Sequence, residues 1–193
     1  MENNPHKIFW HDRGYLPHFE GGEIPQTVTF RLYGSLPKEL LLKWKSDLAN
    51  EPELKRNEEF RNRVEDYLDN GVGARWLADR RVAGMVAQAL AKFDGERYLL
   101  HAWVVMPNHV HALFSPCAGH TISSILQSWK SFTAKEAKKA LGLEGKFWQP
   151  EYFDRAIRNE RHFALACEYI EMNPVKADLV NKPCEWPWSS ASA

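Results

Sequence analysis

The chain lacks a long apolar run, a charge imbalance and any pattern among its few cysteines, and each absence narrows what it can be. No stretch approaches the roughly 20 consecutive apolar residues of a membrane-spanning helix. The opening Met1-Glu2-Asn3-Asn4-Pro5 has neither the basic nor the apolar region of a secretory signal, so a cytoplasmic protein is expected. The three cysteines, Cys117, Cys167 and Cys184, are odd in number and nowhere spaced C-x-x-C. Neither a disulfide framework nor a cysteine-based zinc site is indicated. Lys plus Arg and Asp plus Glu total 25 each, so no overall basic field advertises nucleic acid. Internal repeats and low-complexity tracts are also missing.

What is there fits one domain. Hydrophobic residues make up 44% and charged residues 26% of 193, enough for one sizeable core and too short for two. The charge balance is local. Glu51 to Asp69 holds seven acids against four bases, whereas Thr121 to Arg161 holds eight bases against five acids. The second stretch is either a basic binding face or a solvated helix surface.

Residues 1–26, rich in Pro, Gly and His, read as an irregular lead-in. Gln26 to Leu32 alternates as a strand with Val28, Phe30 and Leu32 on one side. Helices are expected from Pro37 through Leu48, over Asn57 to Leu68, and from Asp79 to Phe93, the last closed by Asp94-Gly95. Arg97 to Met106 and His109 to Ser115 are β-rich runs joined by Pro107-Asn108, an antiparallel hairpin. A long helix spans Ile122 to Leu141 and ends at Gly142. A strand over Phe147 to Ile157 follows, then a helix from Glu160 that Pro174 stops at Asn173. The tail, 181–193, holds Trp186 and Trp188. Strands interleaved with helices around a central hairpin give an α+β fold with an antiparallel sheet flanked by helices.

Two sets of residues can carry chemistry. Successive strand side chains point to opposite faces, so His109 and His111 project from one face about 6–7 Å apart along the strand and can converge on one metal. On the helix ending at Asn173, Phe163, Ala166, Cys167 and Ile170 form the apolar stripe, and Tyr169 and Asn173 lie one turn apart on its flank. There the phenol is a candidate nucleophile and the amide oxygen a candidate third ligand. Each also has a plain structural reading, as a boundary tyrosine and a helix-end asparagine. A His₂Asn set with open positions suits Mg²⁺ or Mn²⁺ better than closed zinc coordination. His101 and Lys176 are near in sequence, but neither is an evident general base. Aromatic residues interleaved with bases after Thr121 are the mix that an unpaired strand requires. Lys130, Trp148, Arg155, Arg158 and Lys176 are the candidate DNA-binding residues.

The strings His101 to His111 (HAWVVMPNHVH), Phe147 to Arg158 (FWQPEYFDRAIR) and Tyr169 to Val180 (YIEMNPVKADLV) resemble, in order and spacing, the REP-associated tyrosine transposases. These are single-tyrosine relatives of the H-hydrophobe-H (HUH) nucleases and of the small insertion-sequence transposases. The resemblance runs from about Thr27 to the C-terminal tryptophans. It implies a ferredoxin-like antiparallel sheet in one catalytic domain over about 27–180, with Tyr169 as the family's nucleophile, His109, His111 and Asn173 as its metal ligands, and Mg²⁺ or Mn²⁺ as cofactor. It further implies cleavage and rejoining of single-stranded DNA through a 5′-phosphotyrosine, on palindromic repeats that fold as hairpins. Both monomers and homodimers fit. A helical insertion at about 51–81 has no counterpart in the compact insertion-sequence enzymes. The rival readings are a DNA-binding protein that keeps the fold without cleaving, and a structural-metal or RNA-binding α+β module.

Overall fold

The computed structural model describes residues 9–12, 17–20 and 22–192. Four strands form one antiparallel sheet in the order β4-β5-β3-β6, where β3 is Gln26–Leu32, β4 Tyr98–Val105, β5 His109–Pro116 and β6 Trp148–Ala156. β4 and β5 are the expected hairpin, closed where the Met106 N–H donates to the His109 carbonyl. The lead-in differs from expectation, because β1 (Phe9–Asp12) and β2 (Pro17–Glu20) pair as a separate two-stranded sheet. Each is only four residues long, too short for alternation to register, and Pro17 sits at a strand's first position, where its missing N–H is tolerated. Residues 1–8, 13–16 and 21 of the lead-in, and Ala193, lie outside the described residues.

The helices form for local reasons. The Asp79 side chain accepts the Arg81 N–H at the start of α3 (Arg80–Ala91). Thr121 and Ser124 make a reciprocal capping box on α4 (Ile122–Leu141), and Gly142 ends it in the left-handed conformation that glycine adopts without cost. α1 (Lys38–Asp47) and α2 (Glu53–Asp69) fill the segment before α3. α5 (Glu160–Lys176) runs one turn past its expected end, through Pro174. A proline removes only one N–H, and the turn is closed beyond it by Ala177 N–H on the Asn173 carbonyl and Leu179 N–H on the Pro174 carbonyl. Lys176 therefore belongs to the helix.

The sheet has two unlike faces. Val28, Phe30, Val110, Ala112 and Phe114 pack under α3 and α4 with Val82, Val86, Leu126 and Trp129 in the main core. On the opposite face Leu113, Ala102 and Val104 meet Ala166 and Ile170 of α5, and Phe153 joins Phe60, Val64 and Leu68 of α2. Between those two apolar groups the same face carries Thr29, Arg31, His109 and His111, all buried. The C-terminal tail covers the free edge of β4, where the Val105 N–H donates to the Trp188 carbonyl and the Trp186 indole to the Val105 carbonyl. No helix among the described residues is long and apolar enough to cross a membrane.

Candidate active site

Strand alternation sends His109 and His111 to the same face, as expected, and the fold buries both. Their Nε2 atoms face each other at 2.9 Å. Nδ1 of His109 lies 2.6 Å from the Asn108 side-chain oxygen, and Nδ1 of His111 lies 2.7 Å from the Thr29 hydroxyl. Because Asn108 offers an oxygen, His109 carries its proton on Nδ1 and its Nε2 lone pair is left for another partner. Burial, reinforced by His111, holds His109 well below the ordinary histidine range; burial, with help from Lys176, pushes His111 down to about 3. Both imidazoles are neutral, the form that ligates metals.

A third donor, outside the motifs of the sequence, arrives from α2. Asp69 Oδ1 lies 3.5 Å from His109 Nε2, too long for a well-made hydrogen bond, and has no other partner. The ligand atoms of Asp69, His109 and His111 all fall within 4.8 Å of one another. The Asn108 amide donates to the Leu68 carbonyl, tying the imidazole's support to the residue before Asp69. Burial, then the neighbouring Glu65 and Asp66, pushes the Asp69 carboxyl up to about 7, against the pull of Lys176. The signal was present in the spacing. Phe60, Val64 and Leu68 mark the buried ridge of α2, and Arg61, Glu65 and Asp69 follow the same four-residue step one position further round.

α5 brings the remaining groups. The Tyr169 hydroxyl donates to Glu65 Oε2 at 2.9 Å, and its ring stands edge-on to His111 with centroids 5.7 Å apart. Lys176 Nζ lies 4.3 Å from the centroid of the Tyr169 ring. Burial, then Glu65 and Asp69, raises the phenol far above its ordinary pKa; the nearby Asn173 amide acts the other way, although its geometry falls short of a hydrogen bond. Glu65 is itself raised by burial, which outweighs the lowering influence of Tyr169 and Arg61. Asn173 is fully buried, and neither its side-chain nitrogen nor its side-chain oxygen is hydrogen-bonded.

Buried polar atoms are almost always satisfied, so the orphaned Asp69 oxygen beside two neutral imidazoles, and the orphaned amide of Asn173 near Tyr169, call for missing partners. A divalent cation fits. Nitrogens 2.9 Å apart match two adjacent ligands of an octahedral ion with bonds of about 2.1 Å. The donors are nitrogen and oxygen, without thiolate.

Beside this cluster opens a cleft of about 360 Å³ between α2 and α5, whose walls include Arg61, Glu65, His111, Arg155, His162 and Tyr169. Burial lowers the Arg61 pKa, and neighbouring Arg155 lowers it further. Arg158 is exposed next to it, its N–H donating to His162 Nδ1. Two of the candidate DNA residues sit elsewhere. Trp148 is buried in the main core and its indole donates to the Thr133 hydroxyl, so no ring face is left for a base. Lys130 spends its amine on the carbonyls of Gln149 and Pro150 at 2.7 and 2.8 Å, which ties α4 to the edge strand β6. His101 has the structural role expected, bonded to the Ser115 hydroxyl and packed on Phe163.

The family model described as Transposase IS200 like matches residues 77–173, a span that holds His109, His111, Tyr169 and Asn173 and excludes α2. A REP-associated tyrosine transposase of Escherichia coli K12 is 33% identical over 107 residues, 55% of this chain and 62% of that protein, so the match spans less than two thirds of the relative. The solved structure of a REP-associated tyrosine transposase bound to a REP hairpin shares the fold, with a TM-score of 0.53, 22% identity and coverage of 93% of this chain and 81% of that one. The sheet, the histidine pair and the matched span together establish that the chain belongs to the IS200-like transposase family.

Proposed function

We propose that this protein cuts and rejoins single-stranded DNA through a covalent 5′-phosphotyrosine on Tyr169. The observation that carries this reading is the phenol of Tyr169 held on a carboxylate, 2.9 Å from Glu65, at the side of His111 and in a cleft lined by Arg61 and Arg155. His109, His111, Asn173 and Asp69 would hold a Mg²⁺ or Mn²⁺ ion, which would polarise the scissile phosphate and stabilise the leaving 3′-oxygen. Tyr169 attacks phosphorus, the Tyr–O–P bond forms and the P–O3′ bond breaks. The buried phenol, flanked by two carboxylates, resists ionising on its own, so its proton passes to Glu65 as attack occurs. The released 3′-oxygen takes a proton from solvent water; when that 3′-hydroxyl gives the proton back and attacks phosphorus, Glu65 returns its own to the departing phenol, and the bond energy is conserved without ATP. Arg61 and Arg155 hold phosphate oxygens, with Arg158 at the mouth and Lys176 against the nucleophile's ring.

The substrate proposed is a palindromic repeat folded as a hairpin with an unpaired flank, met in the cytoplasm. Phenol and imidazoles meet within one chain, so the site is complete in a monomer and a homodimer is not required for chemistry. The oxygen donors of Asp69 and Asn173 speak against a closed structural zinc site.

The test uses labelled hairpins drawn from short palindromes beside the coding sequence, incubated with Mn²⁺. Wild type should form an SDS-resistant protein–DNA adduct, and Tyr169→Phe none. Tight hairpin binding without any adduct would favour the non-cleaving DNA-binding protein instead.

A further inference from the structure

A second cavity, of about 380 Å³, shares no lining residue with the cleft; α2 gives Phe60 to this one and Arg61 to the other. We propose that it receives one unstacked base of the single-stranded DNA, guanine in preference to adenine, and so sets sequence preference; the inference rests on the DNA-processing reading above.

The sheet is interrupted to make this space. Pairing of β3 with β6 shifts register between Phe30 and Leu32, leaving Arg31 opposite the irregular stretch from Gln149 to Glu151. Such irregularities cluster beside functional sites. Pro150 lies inside that stretch, and the Lys130 amine clamps the carbonyls of Gln149 and Pro150, holding the gap open. The shape is therefore built into the fold.

The lining has the chemistry of an unpaired base. Arg31 is only 3% exposed, yet its Nη1 has no hydrogen-bond partner, and burial brings its pKa down to about 10 although Glu151 opposes the shift. A buried guanidinium with a donor to spare is a site that expects an acceptor. Tyr33, Phe60 and Phe153 supply ring faces; Tyr33 is 46% exposed and neighbouring Leu42 49%, apolar surface that the core does not use. Cations stand beside those rings, with Lys146 Nζ 5.5 Å from the Tyr33 centroid and Lys45 Nζ 5.8 Å from that of Phe60. Rings for stacking beside ammonium groups for phosphate are what single strands bind. The guanidinium fork pairs with the adjacent O6 and N7 acceptors of guanine, whereas the N6 amino group of adenine would oppose it. Glu151 in the same wall can accept from guanine N1–H and N2–H, donors with no equivalent on adenine's Watson–Crick edge.

The experiment separates this inference from the cleavage reading by removing chemistry. Tyr169→Phe protein in EDTA is titrated, by fluorescence anisotropy, with oligo-dT strands carrying a single dG, dA or abasic site. The dG strand should bind about tenfold tighter than the other two, within the range expected for one stacked and hydrogen-bonded base. Arg31→Gln should erase the dG-over-dA preference. Tyr33→Ala, at a half-exposed position where folding is not at risk, should weaken dG binding to the abasic level. Equal binding of all three strands by the parent, or a preference untouched in Tyr33→Ala, overturns the proposal. Adduct formation by the Tyr169-bearing chain is read separately and reports on the cleavage reading alone.

Discussion

The two faces of the central sheet are made by the same strands and obey opposite rules. On one face Phe30, Val110 and Phe114 meet Trp129 and Tyr98, and the buried hydroxyl and indole groups pair with each other or with backbone. On the other face the intervening residues Thr29, Arg31, His109 and His111 are equally buried, and several polar atoms around them go unpaired. The first face supplies stability by removing apolar area from water. The second face gives some of it back to keep a donor set ready, and it is rigid because its strands are pinned from behind.

Breaking the dry face should show this division most strongly. Phe114→Ala removes a fully buried ring packed on Tyr98 and Trp129, and a loss of about 3–5 kcal/mol in denaturant unfolding is expected. Where the variant remains folded, Mn²⁺ affinity should follow the wild type. On the polar face, Glu65→Gln keeps a partner for the Tyr169 hydroxyl but removes the base. Adduct formation should slow by about 10²-fold while DNA binds no more weakly, measured by quench-flow on the labelled hairpin. An unchanged rate would show that the proton leaves by another route.

The next effect is smaller and lies behind the proposed ligands. Asn108 holds both the His109 ring and the Leu68 carbonyl. Asn108→Ala should weaken Mn²⁺ binding about tenfold by calorimetry, with His109 and Asp69 both loosened. Loss confined to folding stability, with ion affinity intact, would assign Asn108 to the turn alone.

How much of this was legible follows from periodicity. The histidine pair was visible because a strand repeats every two residues, and the Tyr169–Asn173 pair because a helix returns after four. α4 was bounded correctly by its Gly142 end and the long apolar pattern before it. Asp69 and Glu65 were not found, because acidic residues on a charged helix look like a solvated face until a tertiary contact covers them. Their segment also lies outside the family-matched span. Trp148 and Lys130 were misplaced for a related reason. Composition shows that rings and bases alternate, not which ring turns inward, and Trp148 turned toward Thr133. Pro174 failed as a stop because helix termination depends on what bonds the following N–H groups, which the proline itself does not reveal.

The smallest effect expected is on pH dependence, and it sharpens the contrast because the polar face holds Asp69 and the histidine pair. Burial, with Glu65 and Asp66, raises Asp69 from 3.8 to about 7. In ion-free protein, the folded state therefore holds a proton that the unfolded chain has released. Asp69 contributes stability that is complete below about pH 4 and lost as pH rises through about 7. The imidazoles act oppositely. Burial lowers both, so their contribution is present above the unfolded value of 6.5 and lost as pH falls below it. A bound ion needs Asp69 ionised and both rings neutral, so its affinity should climb with pH and level off above about 7. Thermal unfolding with and without Mn²⁺ at about pH 6 and pH 8 measures both signs. In metal-free protein the falling Asp69 contribution and the rising contribution of the two imidazoles offset each other between these pH values, so its Tm should change little, while the ion's stabilising increment should be larger at the higher pH. Asp69→Asn should leave the imidazoles alone to set the metal-free trend, so that the variant melts higher at the higher pH, and should shrink the ion's increment; a metal-induced shift that stays pH-independent in the wild type would remove Asp69 from the ligand set.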